Sequence, residues 1–281
     1  MIIDCHTHIF PKKIRENRQN YFENEEAFKI LYDSPKSKLV GAKELVNLMD
    51  EQNIDKAVIF GFPWKNSKFF TENNNYIIES VQKYSNRLIG FACFDIFNQD
   101  SYLETLRCLN SGLKGVGELA FYDLASGINN ICLEKLEPIM KACEERNLPV
   151  LIHTNEPIGH IYPGKTQNTL AQIYNLIKKF KNNKIILAHW GGGIFFYSVL
   201  KKEVKEFLKN IYFDTAASPF LYDFKIYSLA ISLGFENNIL FGSDFPLIKP
   251  NRYLKELEQS SISKEQINKI LGLNFLKILE I

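Results

Sequence analysis

The chain has 281 residues, of which 46% are hydrophobic, enough to bury one large core. Its 34 basic and 32 acidic residues leave a formal net charge of +2, which gives no bulk attraction to a polyanion such as nucleic acid. No apolar run approaches the roughly 18 residues of a membrane span, and the first residues lack a secretory signal pattern. We therefore expect a soluble cytoplasmic protein without a membrane or nucleic-acid partner. The sequence leaves its oligomeric state open, a homo-oligomer included.

Short β-branched and aromatic runs alternate with longer helical patterns, as in repeated βα units around a parallel sheet. Eight runs predict strands, at residues 2–9, 55–60, 88–94, 115–121, 149–153, 184–189, 211–214 and 239–242. Amphipathic helices are predicted at residues 42–52, 133–145, 170–180 and 196–208. Eight strands with interleaved helices favour a closed barrel over an open sheet, and no linker divides the chain. We predict an α/β fold with one domain, a (β/α)8 TIM barrel over residues 1–281.

The first predicted strand carries a pair of histidines, His6 and His8, in "DCHTHIF". Residues two apart on a strand point to the same side, so one metal ion can be reached by both. A lone histidine on a strand is more often a packed core residue. The His-x-His pair at the start of a barrel instead favours metal binding.

Four more candidate residues fall at the ends of later predicted strands. They are Glu118 in "GVGELAF", His153 in "VLIHTNE", His189 in "ILAHWGG" and Asp244 in "LFGSDFP". Side chains beyond the last apolar residue of a barrel strand face the catalytic mouth. Zn²⁺ or a similar ion there needs nitrogen and oxygen ligands with one position open for water.

The stretch "LAHWGGG" raises a choice between a packed and a catalytic histidine. His189 ends the sixth strand, and the three glycines that follow leave little bulk to screen it from a substrate. Trp190, by strand alternation, is expected to face the surrounding helices and to supply the packing there. We predict that His189 is catalytic.

Two loops are candidates for substrate contact. His160 and Tyr162 lie in "EPIGHIYPGK", within the long segment 154–166 after the fifth strand, where substrate contact and a solvated loop remain alternatives. Trp64 lies in "GFPWKN" after the second strand, where the alternative is a hydrophobic plug over the barrel. We predict that all three contact a small-molecule substrate, because loops after strand C-termini build the site of such barrels.

The ordered set of motifs resembles the amidohydrolase superfamily of metal-dependent TIM-barrel enzymes. The similarity is to the amidohydrolase-2 branch, which includes aminocarboxymuconate-semialdehyde decarboxylase-like proteins. It runs along essentially the whole chain, from "DCHTH" through "GVGE", "IHTNEP", "AHWGGG" and "GSDFP" to "ILGLNFLKIL".

The resemblance implies that His6, His8, His153 and Asp244 bind one metal ion, most simply zinc, with manganese or another divalent ion as the alternative. It implies that His189 either polarises the substrate or binds a second ion. Glu118 stands where many superfamily members carry a bridging carboxylated lysine, and where deoxyribonuclease-like relatives carry a bridging glutamate. Because lysine is absent, the resemblance does not decide between one ion and two. We expect one ion, with Glu118 as a further ligand or partner, and two ions are the alternative.

The expected reaction is hydrolysis of an amide, lactone or cyclic ester by metal-activated water. Asp244 is expected to accept the proton of that water, and His189, or an ion bound there, to stabilise the oxyanion. The alternative is metal-dependent non-oxidative decarboxylation of a small carboxylic acid on the same scaffold. A catalytically inert barrel is disfavoured, because none of the expected ligands is lost.

Overall fold

The computed structural model describes residues 1–122 and 124–280. Eight parallel strands form in these two segments, each lying inside a predicted run. They are β1 (Ile3–His8), β2 (Lys56–Phe60), β3 (Leu88–Gly90), β4 (Val116–Leu119), β5 (Val150–Ile152), β6 (Ile185–Leu187), β7 (Ile211–Asp214) and β8 (Ile239–Leu240).

The strands pair in chain order, β1 to β3 in one sheet and β4 to β8 in another. Two parallel bridges join these sheets, one between Ala92 and Val116 and the other between Thr7 and Phe245. The second seam is reinforced where the His8 amide donates to the Phe245 carbonyl at 2.8 Å. The sheet therefore closes on itself, and the predicted (β/α)8 barrel is confirmed.

Helices between the strands cover the outside of the barrel. They are α1 (Lys12–Glu16), α2 (Glu26–Tyr32), α3 (Ala42–Gln52), α4 (Ser67–Lys83), α5 (Ser101–Asn110), α6 (Asn130–Glu144), α7 (Leu170–Lys179), α8 (Tyr197–Leu200), α9 (Val204–Phe207), α10 (Ser218–Leu221), α11 (Ile226–Ser232), α12 (Asn251–Gln259), α13 (Lys264–Asn268) and α14 (Asn274–Leu279). No helix within the described ranges combines the length and apolarity needed to cross a bilayer.

Three of the four predicted helices form close to their expected bounds, as α3, α6 and α7. The fourth prediction, one helix over residues 196–208, is wrong. Lys201 takes an extended backbone (φ −148°, ψ 126°), which separates α8 from α9. Val199 and Leu200, which belong to the apolar spacing of the predicted helix, are exposed.

Two apolar layers fix the barrel. The larger lies between the strands and the surrounding helices and includes Trp190, whose ring packs against Tyr227 of α11 with centroids 5.0 Å apart, as predicted. The smaller fills the barrel from inside, with Val58, Leu151 and Ile186 among its members, and α14 packs against it. Because both faces of the strands are buried, polar side chains at strand ends are held in fixed positions.

Candidate metal centre

Ionisable side chains converge at the carboxyl end of the barrel. Those within four residues of the carboxyl end of a strand are His6, His8, Glu118, His153, His189, Asp214 and Asp244. All seven are buried apart from Asp244, which is partly exposed. The loops that follow the strands therefore surround a polar centre in an otherwise apolar barrel.

The first donor group consists of His6, His8 and Asp244. Oδ1 of Asp244 lies 3.4 Å from Nε2 of His8 and 3.6 Å from Nε2 of His6. The two histidines face the same centre, as their spacing on β1 predicted.

The second donor group consists of Glu118, His153 and His189. Oε1 of Glu118 lies 2.9 Å from Nδ1 of His153 and 3.6 Å from Nε2 of His189. His153, which the resemblance placed with His6 and His8, thus lies with Glu118 instead.

Glu118 stands between the two donor groups. Its other oxygen, Oε2, lies 3.6 Å from Nε2 of His6 and 3.7 Å from Nε2 of His8. Gly117 positions this side chain: its φ is 128°, and a Cβ there would collide with the Leu151 carbonyl of the neighbouring strand. Glycine is required at this point, so that the backbone before Glu118 can approach β5 closely.

Each of the four imidazoles has one ring nitrogen held by an oxygen that can only accept. The bonds run from His6 Nδ1 to Asp214 Oδ2 (2.8 Å), from His8 Nδ1 to Gly61 O (2.9 Å), from His153 Nε2 to Gly164 O (3.0 Å) and from His189 Nδ1 to Ala216 O (2.9 Å). In neutral His6, His8 and His189 the proton therefore sits on this outer nitrogen, and the lone pair of the other nitrogen faces the centre. Metal-binding histidines are held in this way. His153 differs, because its inner nitrogen, Nδ1, also meets an accepting oxygen, Oε1 of Glu118 at 2.9 Å.

The distances between donor atoms suit divalent ions. Two ligand atoms each about 2.1 Å from a tetrahedral ion lie about 3.4 Å apart, and the donor atoms within each group are 2.9–3.6 Å apart where they meet a carboxylate. Nε2 of His6 is buried and has no hydrogen-bond partner in residues 1–122 or 124–280. A bound cation would satisfy this nitrogen, so the residues fit a metal.

The charges of the centre shift its pKa values in opposite directions. Burial lowers the pKa of His189, but the nearby carboxylates of Glu118, Asp244 and Asp214 raise it to about 9. Burial raises the pKa of Asp244, but His8, His6 and His189 hold it below its usual range. Without an ion, the site therefore holds protonated imidazole beside ionised carboxylate.

The centre opens into a cavity of about 570 Å³ at the barrel mouth. His8, Glu118, His153, His189 and Asp244 line its floor. Loops that follow the strands supply its walls, and their lining residues include Tyr32, Lys36, Lys38, Phe62, Tyr122, His160, Tyr162, Phe220 and Leu247. The volume suits a small-molecule substrate.

Comparison with protein families matches a model described as Amidohydrolase to residues 3–281. The chain belongs to the amidohydrolase family. A comparison with curated protein sequences finds no match.

Solved structures of low sequence identity share the fold of this chain. A 5-carboxyvanillate decarboxylase from Novosphingobium aromaticivorans, solved with bound manganese, has a TM-score of 0.79 and 16% identity, covering 100% of this chain and 97% of its own. A dihydroxybenzoic acid decarboxylase from a Polaromonas species, also solved with manganese, has a TM-score of 0.70 and 18% sequence identity, covering 99% of this chain and 96% of its own. A probable 2-pyrone-4,6-dicarboxylic acid hydrolase from Acinetobacter baumannii, with citric acid bound, has a TM-score of 0.66 and 16% sequence identity, covering 100% of this chain and 99% of its own.

Of the three residues predicted to contact substrate, two line the cavity and one does not. His160 and Tyr162 line the cavity from the loop after β5. The Tyr162 hydroxyl donates to Glu156 at 2.8 Å, and the Lys165 ammonium donates to the same carboxylate at 2.7 Å, which braces that loop.

The prediction that Trp64 contacts substrate is wrong. Its ring is fully buried, packs on Phe28 with centroids 4.2 Å apart, and donates from Nε1 to Asn73 at 3.2 Å. Phe62, two residues earlier, lines the cavity instead. The turn at residues 61–66 therefore uses its tryptophan as the hydrophobic plug.

Three residues of the site were missed by sequence reasoning. Asp214 ends β7 and accepts from His6, and the strand-end rule that found Asp244 applies to it equally. Tyr32, the last residue of α2, and Tyr122, after β4, line the cavity from segments that carry no readable motif. Burial, together with the charge of Glu118, raises the pKa of both tyrosines well above the usual range, so both hydroxyls keep their protons.

Proposed function

We propose that this amidohydrolase is a metal-dependent hydrolase that cleaves an amide, lactone or other cyclic ester of a small molecule. The observation that carries the proposal is the position of Glu118, with one oxygen toward each donor group. Two divalent ions held close together are a common arrangement in hydrolytic enzymes, where they clamp the attacking and leaving oxygens.

The first donor group would hold one ion and the second donor group another, with Glu118 shared between them. Zinc suits this set of imidazoles and carboxylates, and manganese is the alternative. When bound, such ions lower the pKa of water to about 7 and polarise a carbonyl oxygen.

Asp244 is the proposed proton carrier. Its depressed pKa keeps it ionised at neutral pH, and it lines the cavity floor. It accepts the proton of the attacking water and returns it to the leaving group. His189 contributes to holding the developing oxyanion from the second donor group.

The cavity walls indicate where the substrate binds. The rings of Phe62 and Tyr122 lie nearly parallel, with an interplanar angle of 6° and centroids 5.9 Å apart, and form an apolar wall for a ring-shaped substrate. The protonated hydroxyls of Tyr32 and Tyr122 are hydrogen-bond donors for its oxygen atoms. His160 is the proposed contact at the rim.

Decarboxylation is the second candidate. It is favoured by the aromatic wall and by two relatives described as decarboxylases of aromatic acids. In that reaction the centre would anchor a substrate carboxylate and an adjacent oxygen while a protonated side chain delivers a proton to carbon.

A substrate panel tests the proposal. Zinc-loaded and manganese-loaded protein is offered lactones, cyclic esters, amides and hydroxybenzoates, and released acid and CO₂ are measured in parallel. Acid without CO₂ supports hydrolysis, and CO₂ from a carboxylate substrate would establish decarboxylation instead. Asp244→Asn should abolish turnover. The matched control Asp50→Asn, which alters an exposed ion pair with Arg87, should leave it unchanged.

A further inference from the structure

Asp214 contacts one member of each donor group. It is the last residue of β7, and its carboxylate is fully buried. Oδ2 accepts from Nδ1 of His6 at 2.8 Å, and Oδ1 accepts the amides of His189 at 2.8 Å and of Ala216 at 3.0 Å. The carboxylate is thus held by three donors and lies behind the ligands, outside the cavity lining.

We propose that Asp214 is a positioning residue that fixes both the proton of His6 and the backbone that carries His189. The inference rests on the metal centre of the proposed function. A carboxylate accepts but does not donate, so the imidazole proton of neutral His6 is kept on Nδ1. Nε2, which is buried without a hydrogen-bond partner in the described residues, is then free to bind an ion.

The second role concerns an unusual turn. Residues 189–193 all have positive φ, with values of 54°, 62°, 62°, 63° and 87°. Three of them are glycine, but His189 and Trp190 carry side chains, for which this conformation is disfavoured. The turn begins at His189, whose backbone amide donates to Asp214 and whose carbonyl accepts from the Tyr222 hydroxyl at 2.9 Å.

Asparagine at this position would have the same shape but only one accepting oxygen. If that oxygen kept the His189 and Ala216 amides, the NH₂ group would donate to Nδ1 of His6. The proton of His6 would then move to Nε2, the atom that faces the centre. In the opposite orientation the NH₂ group would face two amide protons, and the turn would lose its acceptor. Either arrangement weakens metal binding.

The experiment measures zinc affinity by competition with a chelator, using zinc alone as the probe. Asp214→Asn should weaken binding by about 10–100-fold, as for other residues that support a ligand. The control is Asn274→Ala, which removes buried hydrogen bonds to Glu236 O (2.9 Å) and Ile239 O (2.8 Å) at the other end of β8. It should lower the melting temperature without changing zinc affinity.

NMR of zinc-loaded wild-type protein with ¹⁵N-labelled histidine gives a second readout, which does not depend on any Asp214 variant folding. The chain has five histidines, so the spectrum is simple, and the His6 signals are those absent from His6→Gln. The proton of His6 should be on Nδ1.

Wild-type affinity in Asp214→Asn would overturn the role of Asp214 and leave the proposed function standing. A His6 proton on Nε2 in zinc-loaded wild type would overturn that role and would also remove His6 from the first donor group. A loss of affinity in Asn274→Ala as large as in Asp214→Asn would likewise overturn the role of Asp214, because general destabilisation would then explain both. A wild-type protein that binds no zinc would overturn the proposed function as well.

Discussion

Replacing Glu118 by glutamine should remove one of two bound ions. One carboxylate oxygen becomes an NH₂ group, which cannot bind a metal. With the NH₂ group toward the second donor group, that group keeps only two imidazoles. With the NH₂ group turned the other way, the second group keeps a neutral oxygen in place of a carboxylate. The first donor group keeps His6, His8 and Asp244 in both cases. The substitution also removes a negative charge beside the cation: Coulomb's law gives about 4 kcal/mol for unit opposite charges about 4 Å apart at an effective dielectric constant of about 20, and a divalent ion carries twice the charge. Affinity at the second group should therefore fall by at least about 10³-fold.

Metal content by mass spectrometry and affinity by chelator competition measure this effect. Two ions per chain should become one in Glu118→Gln. The matched control is Glu104→Gln, because Glu104, on α5 and away from the centre, is equally buried but is held by Arg107 (2.7 Å) and by Asn74 of α4 (2.8 Å). It should bind two ions. A Glu118→Gln protein that also binds two ions with wild-type affinity would refute the bridging role.

Three further outcomes follow. His189→Asn should keep the fold and the ion of the first donor group but lower turnover by about 10²–10⁴-fold, as removal of a positioned catalytic group does; normal turnover would return this residue to the core. Trp190→Ala should cost about 3–5 kcal/mol of unfolding free energy in denaturant titrations, because its buried ring and its bond to Ser218 are lost, while metal content should not change. The pKa of about 9 for His189 lies above its ordinary 6.5, so its contribution to the stability of metal-free protein is complete below pH 6.5 and is lost as pH rises through 9. The melting temperature of metal-free protein should fall as pH rises from 6.5 through 9. The increase in melting temperature on adding zinc should become larger over the same range, and an increase that becomes smaller would contradict this.

The fold could be predicted because its signals are local. Buried parallel strands give short apolar runs, and the eight strands all lie within predicted runs. The helix predicted over residues 196–208 failed because its apolar spacing is helical while Lys201 takes an extended backbone. Periodicity reports which residues share a face, but it does not report a break in the backbone between them.

The convergence of these side chains could be predicted because most of them lie at the carboxyl end of an apolar strand, but their grouping could not. Whether His153 faces His6 or Glu118 depends on how strands meet across the barrel, which no spacing encodes. The prediction for Trp64 failed because a tryptophan in a loop can either pack in the core or line a cavity, and the sequence does not distinguish the two. Tyr32 and Tyr122 reach the cavity from segments whose paths only the folded chain defines.

Anomalous diffraction from crystals loaded with zinc tests the central claim most directly. Two full peaks about 3.5–4 Å apart, one at each donor group and with Glu118 between them, are the predicted result. A single peak bound by His6, His8, His153 and Asp244, or no peak at the barrel mouth, would contradict the account.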